Sequence, residues 1–107
     1  MISTHILDTQ RGQPAADVGV ELYASDGRLL AQARSDADGR VSDFGCKAQI
    51  HSGRYRLVFM SHDYFQALGV DSFFPQVVID FIVDAEQRHC HVPLLLSPFA
   101  YSTYRGS

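Results

Sequence analysis

Three histidines, one arginine and a polar closing tetrapeptide are the side chains here whose types and spacing suit acid–base chemistry. His89 and His91 stand two apart in His89-Cys90-His91-Val92-Pro93, so on a strand both point to one face. His5 lies inside an apolar opening stretch, between Thr4 and Ile6. Histidine titrates near neutral pH, so each can act as a general base or a proton donor. Arg40 follows Asp38-Gly39. Taken alone it is a surface arginine after a turn, and nothing local lifts it above that reading. The sequence closes on Tyr104-Arg105-Gly106-Ser107, a phenol, a guanidinium and a hydroxyl directly after an apolar strand. Chain ends accept almost any sequence when they fray in solvent. This composition predicts an end tucked into a site.

Other chemistries have weaker support. His5 from one strand and the His89/His91 pair from another could form a three-histidine zinc site, but no carboxylate or cysteine lies at a telling distance. Asp36-x-Asp38-Gly39 resembles the start of a calcium loop, lacks a third oxygen ligand and has Lys47 where the closing glutamate would fall. Cys46 and Cys90 match no metal motif; one disulfide is formally possible, and two reduced, buried thiols are expected in a cytosolic protein. No cofactor or metal is expected. His51 and His62 occupy turn-like or cap-like contexts and are read as solvent-facing.

The elements that must position these groups are strands. At 107 residues the chain predicts one domain, residues 1–107, with a single core. A formal net charge of −3 gives no electrostatic footprint for nucleic acid or an anionic membrane. No apolar run approaches the roughly 20 residues that span a bilayer. The opening Met1-Ile2-Ser3-Thr4-His5 lacks the basic-then-apolar build of a signal peptide, and a cytoplasmic location is expected.

Apolar residues recur with period two almost throughout. Val18, Val20 and Leu22 share one face of 18–23, and Tyr55, Leu57 and Phe59 share one face of 55–59. Val77, Ile79, Phe81 and Val83 line one face of 76–84, opposite Asp80 and Asp84. Further strands are predicted over 2–8, 29–35, 89–96 and 100–104, separated by turn chemistry such as Arg11-Gly12-Gln13-Pro14 and Asp36-Ala37-Asp38-Gly39. Residues 61–69 break the pattern: Ser61 is an N-cap candidate, Gly69 a C′ glycine, and Phe65 and Leu68 share a helical face. Seven or eight short strands with one small helix predict an all-β sandwich.

Several motifs together resemble the 5-hydroxyisourate hydrolases, also called transthyretin-related proteins. They are Thr4-His5-Ile6-Leu7-Asp8-Thr9 followed by Gly12-x-Pro14-Ala15, the central Asp38-Gly39-Arg40, Tyr64-Phe65 with Phe73-Phe74-Pro75, and His91-Val92-Pro93-Leu94-Leu95-Leu96-Ser97-Pro98. The closing Tyr101-Ser102-Thr103-Tyr104-Arg105-Gly106-Ser107 is the most specific, because Tyr-Arg-Gly-Ser separates these enzymes from transthyretin, the hormone carrier of the same fold. Cys90 stands where the family usually has tyrosine, and 42–52 fits poorly.

The resemblance implies a transthyretin-like β-sandwich of two four-stranded antiparallel sheets with one short helix, assembled as a homotetramer with sites in the channel between dimers. It implies hydrolysis of 5-hydroxyisourate, a small-molecule substrate of urate breakdown, to a ureidoimidazoline carboxylate. His5, Arg40, His91 and Ser107 are then the catalytic set, with His5, Arg40, Tyr104, Arg105 and Gly106 binding substrate. Either His5 or His91 activates the water, and the other binds substrate or delivers a proton. Two competing expectations are a non-enzymatic carrier of small ligands, as transthyretin is, and a plain structural sandwich module.

Overall fold

The computed structural model describes residues 1–44, 50–87 and 89–107; the Cys46 and Lys47 readings lie outside them. In chain order the elements are β1 (Ile2–Asp8), β2 (Gln13–Pro14), β3 (Gly19–Ala24), β4 (Leu29–Arg34), β5 (Arg40–Val41), β6 (Gly53–Phe59), α1 (Ser61–Ala67), β7 (Val77–Val83), β8 (Cys90–Leu96) and β9 (Tyr101–Thr103). One sheet runs β4-β3-β6-β7, antiparallel throughout. The other runs β2-β1-β8-β9, with β5 also paired to β1. Among the described residues no helix is long and apolar enough to cross a membrane.

The transthyretin-like sandwich expected from the sequence is present, and one of its sheets differs in detail from four antiparallel strands. β1 and β8 pair in parallel from Ile2↔Cys90 to Asp8↔Leu96. β2 and β5 share the opposite edge of β1, at Leu7–Asp8 and Thr4–His5 respectively, which makes five strands. Alternation carries no information on strand direction, and a two-residue strand is too short to alternate.

Period-two burial then decides which side chains meet. β1 turns Ile2, Thr4, Ile6 and Asp8 inward and Ser3, His5 and Leu7 outward. Ile2 and Ile6 join Val92, Leu94 and Leu96 of β8, Val20 and Leu22 of β3, Leu57 and Phe59 of β6 and Val77 and Ile79 of β7 in one buried cluster. Each such aliphatic side chain stabilises the sandwich by roughly 1.5–3 kcal/mol.

α1 starts one residue earlier than its sequence suggests. Met60 is the N-cap and makes no side-chain capping bond. Ser61 already has helical geometry, and its buried hydroxyl has no partner among the described residues. The far end is as expected: Gly69 takes φ 70°, and N–H groups of Gly69 and Val70 donate to the Gln66 and Phe65 carbonyls, the paired bonds of a Schellman motif. His62, expected in solvent, is half-buried with Nδ1 2.7 Å from Ser72 Oγ. The helix docks on β1 through Tyr64, whose hydroxyl donates to Asp8 Oδ2 at 2.8 Å. Asp8 is 1% exposed. Its Oδ1 accepts from the Gln10 and Arg11 N–H groups, both at 3.1 Å, so the buried carboxylate is fully engaged.

Candidate active site

The parallel register of β1 and β8 sets Ser3 opposite His91 on the outward face, with Ser3 Oγ 2.8 Å from His91 Nδ1. On the other edge of β1, β5 sets Arg40 opposite His5. A tight turn delivers Arg40 there. Asp36 Oδ1 accepts from the N–H groups of Asp38 and Arg40, each at 2.9 Å, and the Gly39 carbonyl accepts from Ile6 N–H at 2.7 Å. Gly39 sits at φ 75°, and a Cβ there would lie 2.3 Å from the Ile6 carbonyl oxygen. Only glycine fits a left-handed position pressed against a strand. Asp36 and Gly39 thus build the turn that aims Arg40.

The closing segment reaches the same place. Thr103 Oγ1 donates to the Pro93 carbonyl at 2.7 Å. Gly106 then forms a single bridge opposite His91, its N–H donating to the His91 carbonyl at 2.9 Å. A Cβ on Gly106 would lie 2.4 Å from His91 Cδ2 and 3.0 Å from Pro93 Cγ. The backbone therefore lies against the imidazole edge, and Ser107 enters a cleft of about 340 Å³ with Ser3, Arg40, Ser42, His89 and His91.

Electrostatics favour a neutral imidazole. His91 is held below the ordinary histidine value, first by burial and then by the positive charge of Arg40, His5 and His89; a backbone hydrogen bond to Ser3 acts in the opposite sense. A neutral histidine beside a permanent cation can take a proton while the guanidinium faces developing negative charge.

Of the residues singled out from sequence, Arg40, His91 and Ser107 share the cleft. Gly106 and His5 adjoin it, His5 through its pairing with Arg40 and its influence on His91. Tyr104 and Arg105 line an adjoining groove of about 520 Å³ beside β7, which His89 and His91 also line. Arg105 Nη2 donates there to Gln87 Oε1. Arg105 thus ties the closing segment to the β7–β8 connection. Cys90 turns from the cleft toward the core, as alternation requires; its thiol is free, and burial pushes its pKa up. Among the described residues no three His, Cys, Asp or Glu side chains cluster as metal ligands would. Ser3 and Ser42 were not legible as site residues, because only strand pairing brings them there.

A larger hollow of about 730 Å³ covers the outer face of the other sheet, lined by Glu21, Tyr23, Arg56 and Asp80 among others, with no histidine or cysteine. Within it Arg56 Nε lies 2.7 Å from Asp80 Oδ1, and Tyr23 donates to Glu21 Oε1 at 2.9 Å.

Comparison with known proteins agrees on the whole chain. The sequence model of the HIUase/Transthyretin family matches residues 2–106. A 5-hydroxyisourate hydrolase of Caulobacter vibrioides is 47% identical, over 99% of this chain and 97% of that protein. The structure of Klebsiella pneumoniae 5-hydroxyisourate hydrolase superposes with a TM-score of 0.88 at 40% identity, covering 99% of this chain and 92% of that one. Sea bream transthyretin in complex with thyroxine superposes equally well, TM-score 0.89, at 30% identity over 98% of this chain and 93% of that one. With overall fold and sequence in agreement over nearly its full length, the chain belongs to the HIUase/Transthyretin family.

Proposed function

We propose that this chain is a 5-hydroxyisourate hydrolase, opening a ring amide of 5-hydroxyisourate with water to give 2-oxo-4-hydroxy-4-carboxy-5-ureidoimidazoline. The observation that carries the reading is a depressed-pKa histidine in one cleft with Arg40 and Ser107. His91 accepts the proton of the attacking water as oxygen bonds to the ring carbonyl carbon. Arg40 faces the oxyanion that forms, a role in which one donor is typically worth about 3 kcal/mol. The ring C–N bond then breaks, and the proton held by His91 passes to the departing nitrogen. His5 and Ser107 hold the heterocycle's polar edge, Gly106 admits Ser107 to the cleft, and Tyr104 and Arg105 fix the segment that carries them. No step calls on a metal or cofactor. A homotetramer in the cytoplasm, formed from single domains spanning 1–107, is the working assembly.

The thyroxine complex of sea bream transthyretin on so similar a frame supports a second reading, a ligand carrier. Carriage gives no use for a neutral histidine beside an arginine. Ultraviolet decay of freshly generated 5-hydroxyisourate separates the two. Wild-type protein should accelerate it, and a variant lacking Tyr104–Ser107 should stay folded and lose on the order of 10²–10³-fold in turnover. Decay at the uncatalysed rate with wild-type protein would remove the enzyme reading. Full activity in the shortened variant would remove the closing segment from the site.

A further inference from the structure

The 2.8 Å contact between Ser3 Oγ and His91 Nδ1 admits two arrangements. In one, Nδ1–H donates to the hydroxyl and Nε2 carries the lone pair; in the other, the hydroxyl donates to Nδ1 and Nε2 carries the hydrogen. Only the first leaves Nε2 able to accept a proton from water. The surroundings favour it. Arg40 lines the same cleft as His91, and its guanidinium offers only donors, so a lone pair on Nε2 suits that cleft better than a further N–H. The ring hydrogen then lies on Nδ1, the side that faces the Ser3 hydroxyl.

Neither residue is free to drift. The next pair along the register, Thr4 and Val92, is buried, and Thr4 Oγ1 donates to the Val92 carbonyl at 2.6 Å. A slip by one residue would turn Ser3 to the core and Thr4 to the cleft.

We propose that Ser3 is a positioning residue that holds His91 in the Nδ1–H tautomer and makes Nε2 the proton-accepting atom. The inference rests on the hydrolase reading above. As water oxygen bonds to the ring carbonyl, its proton goes to Nε2. The resulting imidazolium keeps Nδ1–H on Ser3 and returns the Nε2 proton to the ring nitrogen as the C–N bond breaks. Ser3 itself touches no reacting atom.

Nitrogen-15 spectra of labelled protein read the tautomer directly without substrate, and steady-state kinetics read its consequence. Wild-type His91 should show a protonated Nδ1 and an unprotonated Nε2. Ser3→Ala should shift the ring toward Nε2–H and lower kcat about tenfold with KM within about twofold, the scale of one lost polar contact to a reacting group. Ser3→Thr, which keeps a hydroxyl on the same strand face, should restore both. An Nε2–H wild-type ring in an active enzyme would overturn the role of Ser3 and leave the activity standing. So would a Ser3→Ala protein with unchanged tautomer and kcat. A wild-type protein in the Nδ1–H form but inert toward 5-hydroxyisourate would remove the activity and leave the orienting contact in place.

Discussion

Gly106→Ala tests whether the closing segment is seated against His91. The added Cβ would lie 2.4 Å from His91 Cδ2, 3.1 Å from His91 Cγ and 3.0 Å from Pro93 Cγ, whereas ordinary contacts begin at 3.4 Å. About 1 Å of displacement must therefore appear between the segment and the ring. The ring is held at Nδ1 by Ser3 and, on the other side of β8's outward face, Pro93 is rigid. The segment is held at this point by one backbone bond, Gly106 N–H to the His91 carbonyl at 2.9 Å. The segment should yield, carrying Ser107 with it.

The thermodynamic effect is then small, because one partly exposed hydrogen bond contributes about 0.5–1.5 kcal/mol. That corresponds to a fall in Tm of at most about 10 °C for a domain of this size. The kinetic effect is large, since a positioning error of about 1 Å can cost on the order of 10²-fold. Thermal unfolding and ultraviolet decay of 5-hydroxyisourate on the same preparation give both numbers. Turnover within twofold of wild type at unchanged Tm would refute the seating. A collapse in Tm of more than about 20 °C would refute the claim that the segment yields before β8 does.

Two further predictions use other parts of the molecule. Because His91 acts neutral and its pKa is depressed from 6.5 by burial and Arg40, kcat/KM should fall on the acid side through a pKa below that value. Arg40→Gln should move this limb to higher pH in whatever activity remains. The same depression means the unfolded chain binds more protons just below pH 6.5, so His91's share of stability is present above that pH and is lost as pH falls through its folded value; wild-type Tm against pH reads the slope. Tyr64→Phe removes the hydroxyl that donates to buried Asp8 Oδ2 and should cost about 1.5–3 kcal/mol in denaturant unfolding. Turnover should stay near wild type, since the contact lies on the inward side of β1; a large loss of turnover at full stability would contradict that placement.

Where alternation extended over five residues or more, the sandwich could be read directly. Val18, Val20 and Leu22 were placed on one face by spacing alone and are each at most 1% exposed. The closing tetrapeptide stood out by its polarity after an apolar strand, whereas Arg40, by itself a surface arginine after a turn, entered the candidate site only through the family resemblance. What stayed hidden depends on pairing. Nothing in residues 2–8 or 90–96 states that these strands run parallel, so Ser3 could not be linked to His91 across 88 positions. The bond from Arg105 to Gln87 was equally hidden, because sequence adjacency cannot tell which side of a strand end faces the β7–β8 connection. Ser61 looked like a cap because serine caps helices often; the half-turn at Met60 that displaces it carries no sequence mark.

The core and the chemistry are one register viewed from its two faces. Ile6, Leu94 and Leu96, at most 2% exposed, fix how β1 lies against β8, and the same pairing sets Ser3 beside His91 and His5 beside Pro93. Sliding β8 by one residue would expose Leu94 and Leu96 while burying His91, so the cost is several aliphatic side chains at roughly 1.5–3 kcal/mol each plus an unsatisfied imidazole. That sum is a large fraction of the entire net stability of a domain of this size. His91 therefore needs no local clamp stronger than one serine hydroxyl, because hydrophobic burial on the opposite face of the same two strands has already set its place. Outward residues, by contrast, take no part in fixing the register, so they can change the chemistry of this face without disturbing the frame that presents it.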